Sequence, residues 1–175
     1  MRYQLSILLL FISCLSFGQK FGYVDMNYIL GRMPEYKEAQ TEIEKLAKGW
    51  EDEIQKMYQE AETMQADLKA EEVLLTKEMH QERQDAIDSK WKEVKDYQKQ
   101  IFGFEGLYFL KKKELIKPVQ DRVFESVEIV AKNNRLQIVF DKSGELVMIY
   151  TDPIHDYTDH VLEELGLEEK QSANN

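Results

Sequence analysis

From Glu35 to about Lys132 the chain has one proline, Pro118, and three glycines, Gly49, Gly103 and Gly106. The rest is rich in Glu, Lys, Gln, Ala, Leu and Met, the residues that enter a helix at least cost. Pro34 suits a first helical turn, where its missing N–H has no partner to lose. Tyr36, Ala39, Ile43, Leu46, Trp50, Ile54, Met57, Ala61, Met64 and Leu68 recur at steps of three and four, with one extra residue near Trp50 and Ile54. That is a narrow coiled-coil seam. The other faces carry "EIEK", "WEDE" and "QEAE" and are solvated. A helix with so thin an apolar stripe buries no globular core by itself.

The seam breaks at "KAEEVLLTKEMHQ", where Val73, Leu74 and Leu75 fit no single stripe and Thr76 suits an N-cap. A turn is expected near 72–76. Ile87, Trp91, Val94, Tyr97, Ile101, Phe104 and Tyr108 give the second helix its own stripe. The two helices should pack as an antiparallel hairpin, residues 35–117, with arms of roughly 50 Å. Val73, Leu74 and Leu75 at the tip either staple the turn or contact a client or membrane surface. Gly103 and Gly106 mark local loosening, close helix approach or a flexing point. Pro118 removes the bond to the Glu114 carbonyl and should kink the helix. Ile116, Val119, Val123, Val127 and Val130 beyond the arm form a stripe that belongs to a separate body.

That body is assembled from 19–34 and 118–168. "FGYV" reads as a strand; Leu136–Phe140 and Leu146–Tyr150 flank "DKSG" as a hairpin, and the early strand should pair with it. Asp156 or Thr158 can cap a last short helix that Gly166 ends. Phe21, Tyr23, Val24, Ile138, Phe140, Val147 and Ile149 are the expected apolar surfaces. So small a core is marginal alone, and oligomerisation is the common remedy. The fold class is α+β, mostly α: a long antiparallel helical hairpin on a small β body. Residues 169–175 read as a frayed tail.

Residues 1–18 stand apart. Arg2, the apolar run "LSILLLFI" and the small residues Ser16 and Gly18 make a signal peptide with cleavage before Gln19. An N-terminal membrane anchor is one rival reading, in a stretch too short for a spanning helix, and lipidation at Cys14, the chain's one cysteine, is the other; "FIS" before it is a poor acceptor motif. It would make the chain an exported tether with the arm as spacer.

The net charge of −10 argues against a nucleic-acid partner, which needs a basic face. His80, His155 and His160 lack metal-ligand spacing, and no nucleophile or phosphate-loop motif occurs. No enzyme activity and no cofactor are expected.

With the leader followed by "FGYVDMNYIL", the arm ending in "ELIKPVQDRVFESVEIVAKNNRLQIVFD", and the tail "YTDPIHDYTDHVLEELG", the chain resembles the Skp/OmpH family of periplasmic chaperones. The resemblance implies a homotrimer with a barrel-like hub and three helical tentacles around a cavity. It also implies ATP-independent holding of unfolded outer-membrane β-barrel proteins. The arm departs from the family's basic character: residues 35–117 hold 15 basic and 20 acidic side chains, which puts membrane-surface contact in doubt. Lys111, Lys112 and Lys113 are its one basic cluster, read as a solvated face. Mass spectrometry of the exported protein should find Gln19 as its first residue; a lipidated Cys14 would overturn the leader reading.

Overall fold

The structure is a computed structural model that describes residues 20–145 and 147–167. The leader with Cys14 and Gly18, Leu146 and the 169–175 tail lie outside the described residues. The chain divides into two compact units, one comprising the residues up to Arg32 and from Arg122 onward, the other Met33–Asp121.

The first unit is organised by strand β1 (Phe21–Val24) and strand β2 (Ile138–Asp141). They pair in parallel, from Phe21 opposite Ile138 to Val24 opposite Asp141. Parallel strands need a crossover connection, and here the crossover contains every residue of the helical hairpin. The opposite edge of β1 is occupied as well, since Tyr157 N donates to the Tyr23 carbonyl at 2.9 Å. β1 is therefore engaged on both edges by late sequence, by β2 on one and by an isolated bridge from Tyr23 to Asp156 on the other. Gly22 is required there: a Cβ would lie 2.5 Å from the Tyr157 ring.

Helix α1 (Met26–Arg32) follows β1 at once. Asp25 Oδ1 accepts from Tyr28 N at 2.8 Å, while Asp141 Oδ1 accepts from Met26 N at 3.2 Å and Ser143 Oγ from Asn27 N at 3.1 Å. The first N–H groups of a helix lack internal partners, and the turn after β2 supplies them. This overturns the hairpin expected around "DKSG". Asp141 and Ser143 serve the start of α1, β2 takes β1 as its partner, and Val147–Tyr150 forms no strand.

Lys142 Nζ lies 3.3 Å from Asp156 and 3.6 Å from Asp25, above the Tyr23 ring. Partial burial alone would raise the Asp156 carboxyl, but hydrogen bonds from Thr158 and the ammonium of Lys142 hold it below its ordinary range. Burial likewise opposes charge on Lys142, and the bond to Asp156 with the field of Asp25 lifts it above its usual value. The last helix, α5 (Thr158–Glu164), begins beside this cluster, with Asp156 accepting from Thr158 N at 2.9 Å. Gly166 ends it with φ 71°, and Leu167 N returns to the Leu162 carbonyl. Val24, Ile29, Val123, Val130, Val161 and Leu162 are buried in this unit.

The second unit contains helix α2 (Pro34–Glu71), a short 3₁₀ turn (Glu72–Leu74) and helix α3 (Lys77–Phe102). Thr76 caps α3 by accepting from Met79 N at 3.2 Å. The antiparallel register runs from Trp50 beside Phe102, through Tyr58 beside Trp91 and Glu60 with Lys90, to Glu71 with Arg83. Ile54, Ala61 and Leu68 on α2, and Ile87, Val94 and Ile101 on α3, are buried at seven-residue intervals. Ala39 and Ile43 are buried too, while Leu46, Trp50, Met57, Met64, Trp91 and Tyr97 are half-buried, as a two-helix seam with one open side requires.

Helix α4 (Leu107–Asn134) runs through Pro118 without interruption. It ends at Arg135, which adopts φ 57°, with Leu136 N bonded to the Ala131 carbonyl at 2.8 Å. That is a Schellman ending with arginine where glycine is usual.

Two outcomes follow. Gly22→Ala should destabilise the first unit by about 1–3 kcal/mol, read by chemical denaturation, with the hairpin's helical signal retained. Asp156→Ala should cost about 1–2 kcal/mol at pH 7. The Asp156 carboxyl is depressed, so its contribution is full above the ordinary carboxylate range and fades as pH falls through the folded value. The gap between wild type and variant should close on acidification below about pH 4.

Candidate functional site

The glycines at 103 and 106 do not sit inside one continuous helix, as the stripe from Ile87 to Tyr108 implies. α3 stops at Phe102 and α4 starts at Leu107. Gly103 N donates to the Lys99 carbonyl at 2.8 Å and Gly106 N to the Gly103 carbonyl at 2.9 Å. A Cβ on Gly103 would lie 2.2 Å from the Lys99 oxygen, and one on Gly106 would lie 2.4 Å from the Ile101 oxygen. Between them Glu105 takes φ 55°, a left-handed conformation unusual outside glycine. The break is thus built by the two glycines, while Pro118 breaks nothing.

The break expels aromatic side chains from the seam. Phe104, a stripe residue by spacing, is 97% exposed. Phe102 remains partly anchored, edge-on to Trp50 with centroids 6.4 Å apart and tilted against Tyr108 at 5.7 Å. Ile101, Phe102, Phe104, Tyr108 and Phe109, with Glu105 among them, line a mostly apolar cleft of about 330 Å³. Leu107, Phe109 and Leu110 continue the exposed apolar surface along α4. Lys112 and Lys113 stand exposed one turn further on, whereas Lys111 is paired with Glu114 at 2.7 Å.

At the hairpin tip Val73 is 92% exposed and Leu74 nearly as open, while Leu75 is half-buried. Glu71 and Glu72 flank them, and Arg83 holds Glu71 at 2.5 Å. The seven residues expected as body surface fall into three groups. Tyr23 and Val24 are buried within one chain; Phe21, Ile138 and Phe140 are partly exposed; Val147 and Ile149 lie in solvent, Ile149 at 98%. Phe21 stacks on His155 with centroids 4.7 Å apart. Among the described residues no three His, Cys, Asp or Glu side chains converge to hold a metal. No described helix is long and apolar enough to cross a membrane.

The aromatics Trp50, Trp91, Tyr97, Phe102, Phe104, Tyr108 and Phe109 exceed what one seam needs, so a minority facing an apolar surface is legible in the sequence, but spacing assigns Phe104 to the seam and does not say which ones. The run "IFGFEGLYFL" concentrates that excess beside two glycines.

A small parallel strand pair interrupted by a long helical hairpin defines the architecture, in which the inserted element dominates. The chain matches the OmpH-like outer membrane protein family over residues 20–165 and belongs to it. It is similar to a protein of unassigned function from Aquifex aeolicus (strain VF5), at 29% identity over 158 residues, covering 90% of this chain and 93% of that one. Its fold is similar to the crystal structure of an OmpH-like protein from Caulobacter crescentus CB15, named as a candidate outer membrane chaperone. The TM-score is 0.69 at 12% identity, covering 91% of this chain and 90% of that one.

Because Gly103 is required by the approach of the Lys99 carbonyl, Gly103→Ala should cost about 1–3 kcal/mol. Urea unfolding and the emission of Trp50, beside Phe102, report the change; an unaltered midpoint and spectrum would contradict the assigned geometry.

Proposed function

We propose that this protein is an ATP-independent periplasmic holdase that sequesters unfolded outer-membrane β-barrel proteins between helical hairpins. The observation that carries the reading is the exposure of large apolar side chains on the hairpin, in a chain of the OmpH-like family. Unfolded β-barrel chains present apolar strand faces that aggregate. A holdase without a nucleotide site works by reversible burial, and scattered apolar contacts on separate helices accept many sequences without demanding one shape. The candidate chaperone function named for the Caulobacter protein supports the same reading.

The working form in this reading is a homotrimer assembled through the small unit. In favour stand the exposed Phe21, Ile138, Val147 and Ile149, and a β2 edge with no strand partner among the described residues. An edge of this kind is a ready template for another chain. Tyr23 and Val24 are buried inside each copy, so a charge there would unfold the unit. The informative substitution is at an exposed position.

Mass measurement at micromolar concentration should give three copies, and Ile149→Glu with Ile138→Glu should yield monomers that keep their helical signal. Wild type at stoichiometric amounts should suppress aggregation of a β-barrel protein diluted from urea. A clean monomer without effect on aggregation would remove the proposal.

A further inference from the structure

Resting on the holdase reading, we infer that the helix break at Gly103–Gly106 grips extended acidic segments, those in which an apolar side chain is followed two residues later by a carboxylate. The cleft supplies the apolar half. Phe102 lies edge-on to Trp50 and tilted against Tyr108, and Phe104 and Phe109 line the same cleft. Aromatics held rigid before binding lose little freedom when they capture a side chain.

Charge identifies the occupant. Residues 35–98 carry 10 basic and 18 acidic side chains, whereas residues 99–117 carry five basic and two acidic, Glu105 in the cleft lining and Glu114 paired with Lys111. The region around the break is a positive island on an acidic hairpin. Lys112 and Lys113 have no carboxylate partner among the described residues. They lie three and four residues beyond Phe109 and so share its face, about 5–6 Å along the helix. In an extended chain, residues i and i+2 share a face about 6.6–6.8 Å apart. An apolar side chain in the cleft therefore places a carboxylate two residues on beside these ammonium groups. The tip offers no such match, because Val73 and Leu74 follow Glu71 and Glu72.

The test uses fluorescein-labelled, unstructured Gly/Ser peptides of about sixteen residues carrying Phe-Ser-Glu, Phe-Ser-Lys or Ala-Ser-Glu units, titrated with the full-length mature protein and followed by anisotropy at low salt. Phe-Ser-Glu should bind about tenfold more tightly than either control, a difference of about 1.4 kcal/mol. Lys112→Glu with Lys113→Glu should reverse the preference between the Glu and Lys peptides. Phe104→Ser with Phe109→Ser should abolish binding of both. These four side chains are exposed, and circular dichroism with unfolding midpoints verifies that each variant is folded. Equal affinity for Glu and Lys peptides, or binding indifferent to either pair of substitutions, overturns the inference. So does an outcome in which the Phe pair changes only self-association, or only binding to phosphatidylglycerol vesicles. Aggregation of the β-barrel client is measured alongside: suppression by wild type without peptide discrimination sinks this inference and leaves the holdase reading standing.

Discussion

The structure depends on the two-sided pairing of β1. Its four residues bond to β2 on one edge and to the Asp156–Tyr157 segment on the other. A strand this short holds its place only because neighbouring polar groups are satisfied at the same time. Asp141 and Ser143 receive the first N–H groups of α1, Thr158 Oγ1 accepts from Asp25 N at 3.0 Å, and Lys142 spans Asp25 and Asp156. Residues from both ends of the chain thus complete one unit. Closing so long a loop costs entropy that rises slowly with length, so the inserted helices could be long without forbidding the pairing.

The hairpin obeys a different economy. Its buried positions are few, repeating every seven residues from Ile54 to Leu68 and from Ile87 to Ile101, and charged side chains are abundant along it. Lys90 shows the limits of the surface pairs: Glu60 and Glu93 raise its affinity for the proton and it lowers that of Glu60, yet these groups are open to solvent. Such pairs set register more than stability. A two-helix element with one seam leaves its outer faces free for other contacts. The interruption at Gly103–Gly106 uses that freedom by turning aromatic side chains outward.

Much of the architecture was legible from residue spacing. The seam of α2, the turn before Thr76, the cap at Thr76 and the ending at Gly166 each rest on local chemistry that reads the same in an isolated segment and in the fold. The failures were non-local. α1 escaped notice because two of its three N-terminal partners, Asp141 and Ser143, lie over a hundred positions away. "DKSG" has hairpin turn chemistry, but its side chains are claimed by that helix. Arg135 ends α4 in a conformation that sequence rules reserve for glycine. Phe104 has seam spacing, and only the break before it puts the ring in solvent.

The sequence by itself determined that this chain forms long amphipathic helices in a hairpin, with β-forming segments near its ends, because propensity and seven-residue spacing act over a few turns. Tertiary structure alone decided that the end strands run parallel, that both edges of β1 are engaged, and that the helix breaks where the aromatics cluster. Those outcomes turn on which distant groups satisfy one another's hydrogen bonds and on how closely a backbone carbonyl approaches a glycine, and neither quantity is carried by local pattern.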